Sequence, residues 1–309
     1  MGIRESRKEN PGIAYLCAVS FTLISGVVSV VSKVCTVYGI PVLIVAVRYF
    51  LSAAINFGIH HTGLVQVRYR GKGKKEMLVL SGICYSGNYL LHIWGLLYVP
   101  SVINGIMMAT VPIWTELAAR IFLKEKTSIL QNIFLLLSAG AVITMLYIGS
   151  SDGLRGFDIR GFVLLLGAFL FEALNNIVIR SLKETYSSME INFVSCLVSL
   201  GICSAVLAVQ AGTGAVSLTA VLFALKDWRL IGALLFLGIF GTFAAGFLRG
   251  YVLQHMSALR ASAWYNASTP VAVIAGILFL NEPFYWYQLI CGALILAGVI
   301  GIQICKEKD

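Results

Sequence analysis

Apolar residues form ten runs along the 309-residue chain, separated by short stretches rich in charged residues, glycine, proline or serine. A hydrocarbon core about 30 Å thick requires roughly 20 apolar residues per helical span. Backbone groups in lipid must be hydrogen-bonded internally, and no alternating pattern typical of a barrel is present, so the runs predict membrane-spanning helices. The predicted spans, in chain order, are Pro11–Lys33, Pro41–His60, Met77–Tyr98, Ser101–Leu123, Ser128–Ile148, Ile159–Leu182, Met189–Gln210, Arg229–Leu253, Ala258–Leu280 and Phe284–Cys305.

Composition agrees with a chain that has lipid as its solvent. Hydrophobic residues make up 59% and charged residues 12%, and the charged share is about half that of soluble proteins. The net charge of +9 resides in loops rather than on one face, so we expect no nucleic-acid partner. The seven cysteines lack metal-ligand spacing, and no phosphate-binding loop, metal-binding histidine pair or nucleophile elbow is present. The sequence therefore predicts no enzyme, no metal and no cofactor.

The loops predict the orientation of the chain. Most of the 23 Lys and Arg residues lie in loops on the same side as the N-terminus. Because cytoplasmic loops carry an excess of these residues, both termini, residues 1–10 and 306–309, are predicted to be cytoplasmic. We expect a multi-pass protein of the plasma membrane, with lipid around it.

The two halves of the chain share a pattern. Glu125 follows Pro112 by thirteen residues in the first half, and Glu282 follows Pro270 by twelve in the second. Five spans per half is an odd number, so the halves must enter the membrane from opposite sides. We therefore predict an all-α protein of two inverted five-helix repeats, residues 11–148 and 159–305, joined by a loop at 149–158, with a central cavity between them.

A second pair of motifs strengthens the repeat and points to a family. Ser25-Gly26 with Lys33 matches Glu172-Ala173 with Arg180 at a constant offset of 147 residues. Together with the proline–glutamate pairs and Arg48-Tyr-Phe-Leu-Ser-Ala, these motifs resemble the EamA-like family of the drug/metabolite transporter superfamily over about residues 11–305. The chain departs from the family's pattern at Ser25, where a Trp is usual, and no Arg of the second half matches Arg48.

The resemblance implies an architecture as well as a function. It implies ten helices around a central cavity lined mainly by spans 1, 3, 4, 6, 8 and 9. Spans 5 and 10 would pack at the periphery through small residues, with or without a homodimer. The implied function is secondary transport, with export favoured over uptake.

Ionisable side chains at mid-membrane depth are costly and usually face a cavity. Glu172 lies roughly 18 Å into span six at 1.5 Å per residue, and Asn175 and Asn176 share its face. A buried polar network between helices is the alternative for this group. Glu116 lies one turn after Pro112 and is a second candidate, although a structural pair with Arg120 at i+4 is an alternative. Both glutamates are candidates for substrate binding and proton coupling.

Other polar positions complete the predicted substrate site. His92, Asn88 and Tyr85 share one face of span three. Arg48 either contacts substrate or forms a structural ion pair. Further candidates in span nine are deeper than an interfacial aromatic belt; they are Trp264, Tyr265, Asn266 and Ser268.

Prolines and basic residues near span ends receive different predictions. Pro112 and Pro270 are predicted helix irregularities near the site, because proline removes a helical hydrogen bond. Four basic residues near span ends are predicted to extend to the headgroups; they are Lys33, Arg180, Arg249 and Arg260.

These observations predict a secondary transporter that moves a small organic solute by alternating access. A lining of acids, an arginine, a histidine, amides and aromatics suits an amino acid or a related zwitterionic or amphipathic compound. A multidrug or organic-cation carrier is the alternative, favoured by the acids and aromatics. A receptor or an intramembrane enzyme is a remote alternative, since neither a large soluble domain nor a catalytic set is present.

Overall fold

The computed structural model describes residues 11–36, 41–62, 73–95, 97–98, 107–149, 158–213, 226–280 and 285–305. Within these ranges the chain forms ten helices, which match the ten predicted spans. Helix α4 comprises Val111–Ala118 and a π-helical turn at Ala119–Leu123, and α8 contains a π-helical segment at Leu237–Ala244. The other bounds are α1 Pro11–Thr36, α2 Pro41–His61, α3 Lys74–Gly95, α5 Ile129–Gly149, α6 Ile159–Ser181, α7 Ser188–Gly212, α8 Trp228–His255, α9 Ala258–Leu280 and α10 Trp286–Ile304.

Seven of the helices, α1, α2, α5, α6, α7, α8 and α10, are long and apolar enough to cross a membrane by length and composition. Many of their large apolar side chains are exposed to the surroundings, among them Leu16, Phe57, Leu136 and Leu289 on four different helices. Such a surface is unsuited to water but suited to lipid. The protein is therefore a multi-pass helical membrane protein.

Local capping fixes where several helices begin and end. Asp158 and Asp227 accept hydrogen bonds from the backbone N–H groups of Arg160 and Arg229 at 2.8 and 2.9 Å, which caps the starts of α6 and α8. Ser187 and Glu190 form a capping box at the start of α7. These caps satisfy N–H groups that the helices themselves leave without partners.

Small residues bring the helices close together. A Cβ atom added at Gly26 of α1 would lie 2.5 Å from Val271 Cγ1 of α9. Helices α5 and α10 pack on each other in the same way, since a Cβ atom at Gly298 would lie 2.7 Å from Ser138 Cβ. Neither α5 nor α10 contributes to the cavity described below. Close packing of this kind is the main source of helix association in a bilayer.

The two prolines lie in different surroundings. Pro112 lies in the first turn of α4, after a turn at Ala109 and Thr110 in which the Thr110 hydroxyl donates to the Met107 carbonyl at 2.6 Å. The α-helix of α4 therefore begins at this proline, where an N–H group would have no helical partner in any case. Pro270 lies inside α9, which continues through it. Glu282 lies outside the described residues.

Candidate functional site

A cavity of about 150 Å³ lies between six helices: α1, α3, α4, α6, α8 and α9. These are the six that the family resemblance implies. Aromatic side chains supply much of its wall, and they are Phe21, Tyr85, Tyr89, Phe169 and Tyr265. Its polar lining comprises Ser25, Ser29, Asn88, His92, Glu172 and Arg249. A concave site with an apolar wall and a few convergent polar groups is typical of small-molecule binding.

A buried ion pair forms one wall of the cavity. Arg249 Nη2 lies 2.9 Å from Glu172 Oε1, and both side chains are less than a tenth exposed. The Tyr265 hydroxyl donates to the same carboxylate oxygen at 2.7 Å. The guanidinium also lies over the rings of Tyr85 and Tyr265, at 5.8 and 5.7 Å from their centroids. The two charges compensate each other and are held between aromatic faces.

Asn176 supports this pair from behind. Its side-chain oxygen accepts two hydrogen bonds from Arg249, at 2.7 and 3.2 Å, and its amide donates to Thr115 Oγ1 at 3.2 Å. Asn176 is fully buried and does not line the cavity. It therefore positions the arginine and ties α6 to α8 and α4.

The prediction that Arg249 extends to the headgroups is wrong. Its side chain points inward to Glu172, which lies at the same depth on α6. A π-helical segment one turn earlier in α8 changes the register of the residues that follow. The sequence does carry a signal for this pairing, because Glu172 lies at a comparable depth on another span.

The predicted polar face of α3 lies on the cavity. Tyr85, Asn88 and His92 are all part of its wall. Asn88 donates to the Ala168 carbonyl of α6 at 2.9 Å, and the His92 ring lies 5.8 Å from the Phe169 ring. Tyr89 also lines the cavity and is absent from the predicted set, although its spacing of four residues from Tyr85 places it on the same helix face.

A second, smaller cavity of about 20 Å³ lies on the other side of Tyr85 and Arg249. Asn175 lines this cavity and not the first. Its amide lies 2.9 Å from Ser81 Oγ, which is also 2.9 Å from Ser195 Oγ. The three polar groups predicted on one face of α6 thus serve three places: the cavity wall, the support behind it and this second space.

Glu116 does not reach either cavity. It forms an ion pair with Arg120 one turn later in the helix and accepts a hydrogen bond from the Thr127 hydroxyl at 2.7 Å. The structural alternative weighed from the sequence is therefore what the structure shows. The pairing follows from the i, i+4 spacing, which places both side chains on one helix face.

Three of the four candidates in α9 also lie away from the cavity, although Tyr265 lines it. Asn266 donates to Ser138 Oγ of α5 at 3.1 Å, and the Ser268 hydroxyl donates to the Tyr265 carbonyl at 2.6 Å. Trp264 packs against apolar core residues. Successive residues of a helix turn by about 100°, so Trp264 and Asn266 face neighbouring helices instead of the cavity.

Arg48 lies directly behind the cavity wall and is 6% exposed. Its Nε donates to Thr242 Oγ1 at 3.1 Å, and its guanidinium lies 5.2 Å from the centroid of the Tyr89 ring. Thr242 belongs to the π-helical segment of α8. The ion pairs among the described residues do not include Arg48.

Beyond the Glu172–Arg249 pair, an ion pair ties four helix ends together. Arg180 lies 2.8 Å from Glu125 and donates to the Leu253 and Gln254 carbonyls at 3.3 and 3.2 Å. The other Glu125 oxygen accepts a hydrogen bond from the Ala258 N–H at 2.9 Å. The ends of α4, α6 and α8 and the start of α9 are joined here, which closes the bundle at these four helix ends.

Two further predictions on basic residues are therefore wrong. Arg180 binds Glu125 and two carbonyl groups instead of extending to the headgroups. Arg260 donates to the Cys305 carbonyl at 2.7 Å, which joins α9 to the end of α10. Both side chains find acceptors at neighbouring helix ends, where the last carbonyl groups have no helical partners.

Comparison with known proteins agrees with this architecture. The EamA-like transporter family matches the chain twice, at residues 12–147 and 159–304. The uncharacterized transporter YcxC of Bacillus subtilis (strain 168) is 27% identical over 295 residues, covering 96% of this chain and 94% of that protein. The uncharacterized transporter YetK of the same organism is 27% identical over 273 residues, covering 84% and 79%.

A solved crystal structure supports the fold. It is 14% identical, has a TM-score of 0.75, and covers 94% of this chain and 96% of that chain. At this identity the likeness concerns the fold alone. With the family matched along both halves, the chain belongs to the EamA-like transporter family of the drug/metabolite transporter superfamily, and it is a membrane transporter rather than an enzyme.

Proposed function

We propose that the protein is a secondary transporter that moves a small organic metabolite, an amino acid or a related zwitterionic or amphipathic solute, by alternating access. The observation that carries this proposal is the cavity between six helices, which combines aromatic walls with a buried ion pair and hydroxyl and amide groups. Aromatic faces suit an apolar part of a solute, and the charged and polar groups suit its ionised part.

For alternating access, the two halves act as inverted repeats, residues 11–148 and 159–305. The double family match supports this division. The helix contacts support it too, because several of them recur when the halves are exchanged: α1 packs on α9 as α6 packs on α4, and α3 packs on α6 as α8 packs on α1. Such repeats commonly rock against each other around a site at mid-membrane.

The closed helix ends indicate the side of the membrane to which the cavity opens. The Glu125–Arg180 tie lies beyond the ion pair, and the cavity extends from the pair toward the opposite ends of α6 and α8. With cytoplasmic termini, as the loop charges predict, the tie is on the cytoplasmic side of the plasma membrane. The described state then faces outward, and the family resemblance favours export as the direction of net flux.

Glu172 is the proton-coupling candidate that the geometry favours over Glu116. It lies on the cavity wall, whereas Glu116 is paired with Arg120 away from it. Protonation of Glu172 would break its ion pair with Arg249. The Arg249 side chain would then be free to move, so a change in charge would change the shape of the cavity. A Glu172→Gln protein that transports with an unchanged pH dependence would remove Glu172 from this role.

The proposal is tested in reconstituted vesicles. Uptake and efflux of labelled amino acids and labelled amines are measured with and without a pH gradient, against vesicles that lack the protein. Saturable flux of amino acids or related zwitterions is expected. Flux of chemically unrelated organic cations in place of amino acids would favour the multidrug alternative, and the absence of protein-dependent flux for the whole panel would contradict the proposal.

A further inference from the structure

Arg48 is a buried cation without an acidic partner among the described residues. A guanidinium has five N–H donors, and the neighbours of Arg48 use few of them. Thr242 Oγ1 accepts from Nε at 3.1 Å, and the Tyr89 hydroxyl lies at 3.5 Å from Nη2, at the limit of a hydrogen bond. The remaining stabilisation comes from the Tyr89 ring.

The second buried arginine shows the contrast. Arg249 is buried to the same degree, and Glu172 compensates its charge at 2.9 Å. A buried charge without a counter-ion is destabilising, and a charged side chain at membrane depth is a functional candidate by default. Within the described residues the charge of Arg48 is thus uncompensated, and an anion in the cavity would compensate it.

The cavity is the space from which an anion can reach Arg48. Tyr89 and Gly241 both line the cavity. The Cβ atom of a side chain at Gly241 would lie 2.9 Å from Val28 Cγ2 and 3.5 Å from Arg48 Nη2, so the guanidinium lies directly behind the wall at this glycine, beside the Val28 side chain. Because Thr242 holds Nε and the Tyr89 hydroxyl is 3.5 Å from Nη2, most of the four Nη donors are left for a ligand at this wall.

The charges around the cavity favour the same ligand. Among the described residues, Arg48, Arg249 and Glu172 are the charged side chains in or directly behind its wall, so the site has one positive charge in excess. We propose that the transported solute carries an anionic oxygen group, a carboxylate or a phosphate ester, and that this group binds Arg48 between Tyr89 and Gly241. This inference rests on the proposed function, because it names the solute of the same cavity.

The test measures binding rather than flux. Thermal stabilisation of the purified protein in detergent is followed with 3-phenylpropionate, phenyl phosphate and 2-phenylethylamine, which share an aromatic ring and differ in the charged group. A ligand of the folded state raises the unfolding temperature in proportion to its occupancy. We expect stabilisation by one or both anions and none by the amine. Stabilisation by the amine alone, or by none of the three at millimolar concentration, would overturn the inference.

Variants assign the effect to Arg48. In Arg48→Gln the apparent affinity for the stabilising anion is expected to fall about 10- to 100-fold, as for loss of a charge-assisted hydrogen bond, and Arg48→Lys is expected to restore part of it. Arg160→Gln, at an exposed position at the start of α6, is the matched control and keeps the wild-type affinity. Undiminished anion binding in Arg48→Gln would overturn the assignment. If that protein does not fold, the assignment is overturned when the wild-type protein and Arg48→Lys each bind the anion no more tightly than the amine.

The two proposals fail in different ways. If the anions stabilise the protein but none of the labelled solutes crosses the vesicle membrane, the anion site stands and the transport proposal falls. If amino acids are transported and anions neither bind nor compete with them, transport stands and the role of Arg48 falls. Comparison of 3-phenylpropionate with phenyl phosphate decides between carboxylate and phosphate as the preferred group.

Discussion

The ion pair between Glu172 and Arg249 makes a quantitative prediction about stability. Glu172→Gln leaves the guanidinium buried with Asn176 as its hydrogen-bond acceptor and two tyrosine rings beside it. Arg249→Gln leaves the carboxylate buried with the Tyr265 hydroxyl as its remaining donor. The double variant removes both charges and keeps the volume of Glu172.

The expected magnitudes follow from these remaining contacts. Breaking a buried pair by removing one partner costs about 3–5 kcal/mol. Glu172→Gln should fall near the lower figure, because Arg249 keeps both hydrogen bonds to Asn176 and its cation–π contacts. Arg249→Gln should fall near the upper figure, because a single hydroxyl supports the carboxylate. The double variant loses about two hydrogen bonds, but it leaves no uncompensated charge. The expected loss of stability is therefore about 2 kcal/mol.

The assay is thermal unfolding of the four proteins in one detergent. The predicted order of stability is wild type, double variant, Glu172→Gln and then Arg249→Gln, with roughly 6 °C between wild type and Glu172→Gln. This non-additivity is the signature of direct coupling between two side chains. A double variant as unstable as the sum of the single variants would refute the reasoning, since the two charges would then act independently.

Two further predictions concern packing and the closed side of the bundle. Gly26→Ala should destabilise the protein by about 1–3 kcal/mol, because its Cβ atom would lie 2.5 Å from Val271 Cγ1. The control is Gly140→Ala, whose Cβ atom would have no atom within 4 Å. Equal unfolding temperatures for the two variants would contradict the close packing at Gly26. Glu125→Ala removes the acceptor of the Ala258 N–H, so hydrogen exchange at the start of α9 should become faster than in wild type. Unchanged exchange there would show that Glu125 does not hold the start of α9 against the neighbouring helix ends.

The sequence predicted the helices well and the polar contacts unevenly. Ten apolar runs indicated ten spans because length and hydropathy alone determine whether a segment can cross a bilayer. The face of Tyr85, Asn88 and His92 was predictable from helical periodicity, and the structure places all three on the cavity. Glu172 was identified by its depth, and it lines the cavity as an ion-paired residue.

Other features depend on contacts between helices, which hydropathy does not encode. Arg249 is close enough to the end of α8 to suggest a headgroup position, and its inward direction depends on Glu172 of α6 and on the π-helical segment before it. Asn266 is polar and lies deep in its span, which predicts a substrate-binding residue, yet its hydrogen-bond partner is Ser138 of α5. Polar residues in a membrane protein can satisfy one another between helices, so depth alone does not distinguish packing from a site.

The central claim is that a cavity open to water lies between the six helices within the membrane. It is tested by replacing Ser25, which lines the cavity, and Leu23, which is 52% exposed on the outer surface of the same helix, each by cysteine in a protein without Cys17 and Cys305. A water-soluble, membrane-impermeant thiol reagent is added to intact cells and, separately, to inside-out membrane vesicles. The account predicts that Ser25→Cys reacts and Leu23→Cys does not. A Ser25→Cys protein that is inserted normally and is as unreactive as Leu23→Cys from both sides of the membrane would contradict it.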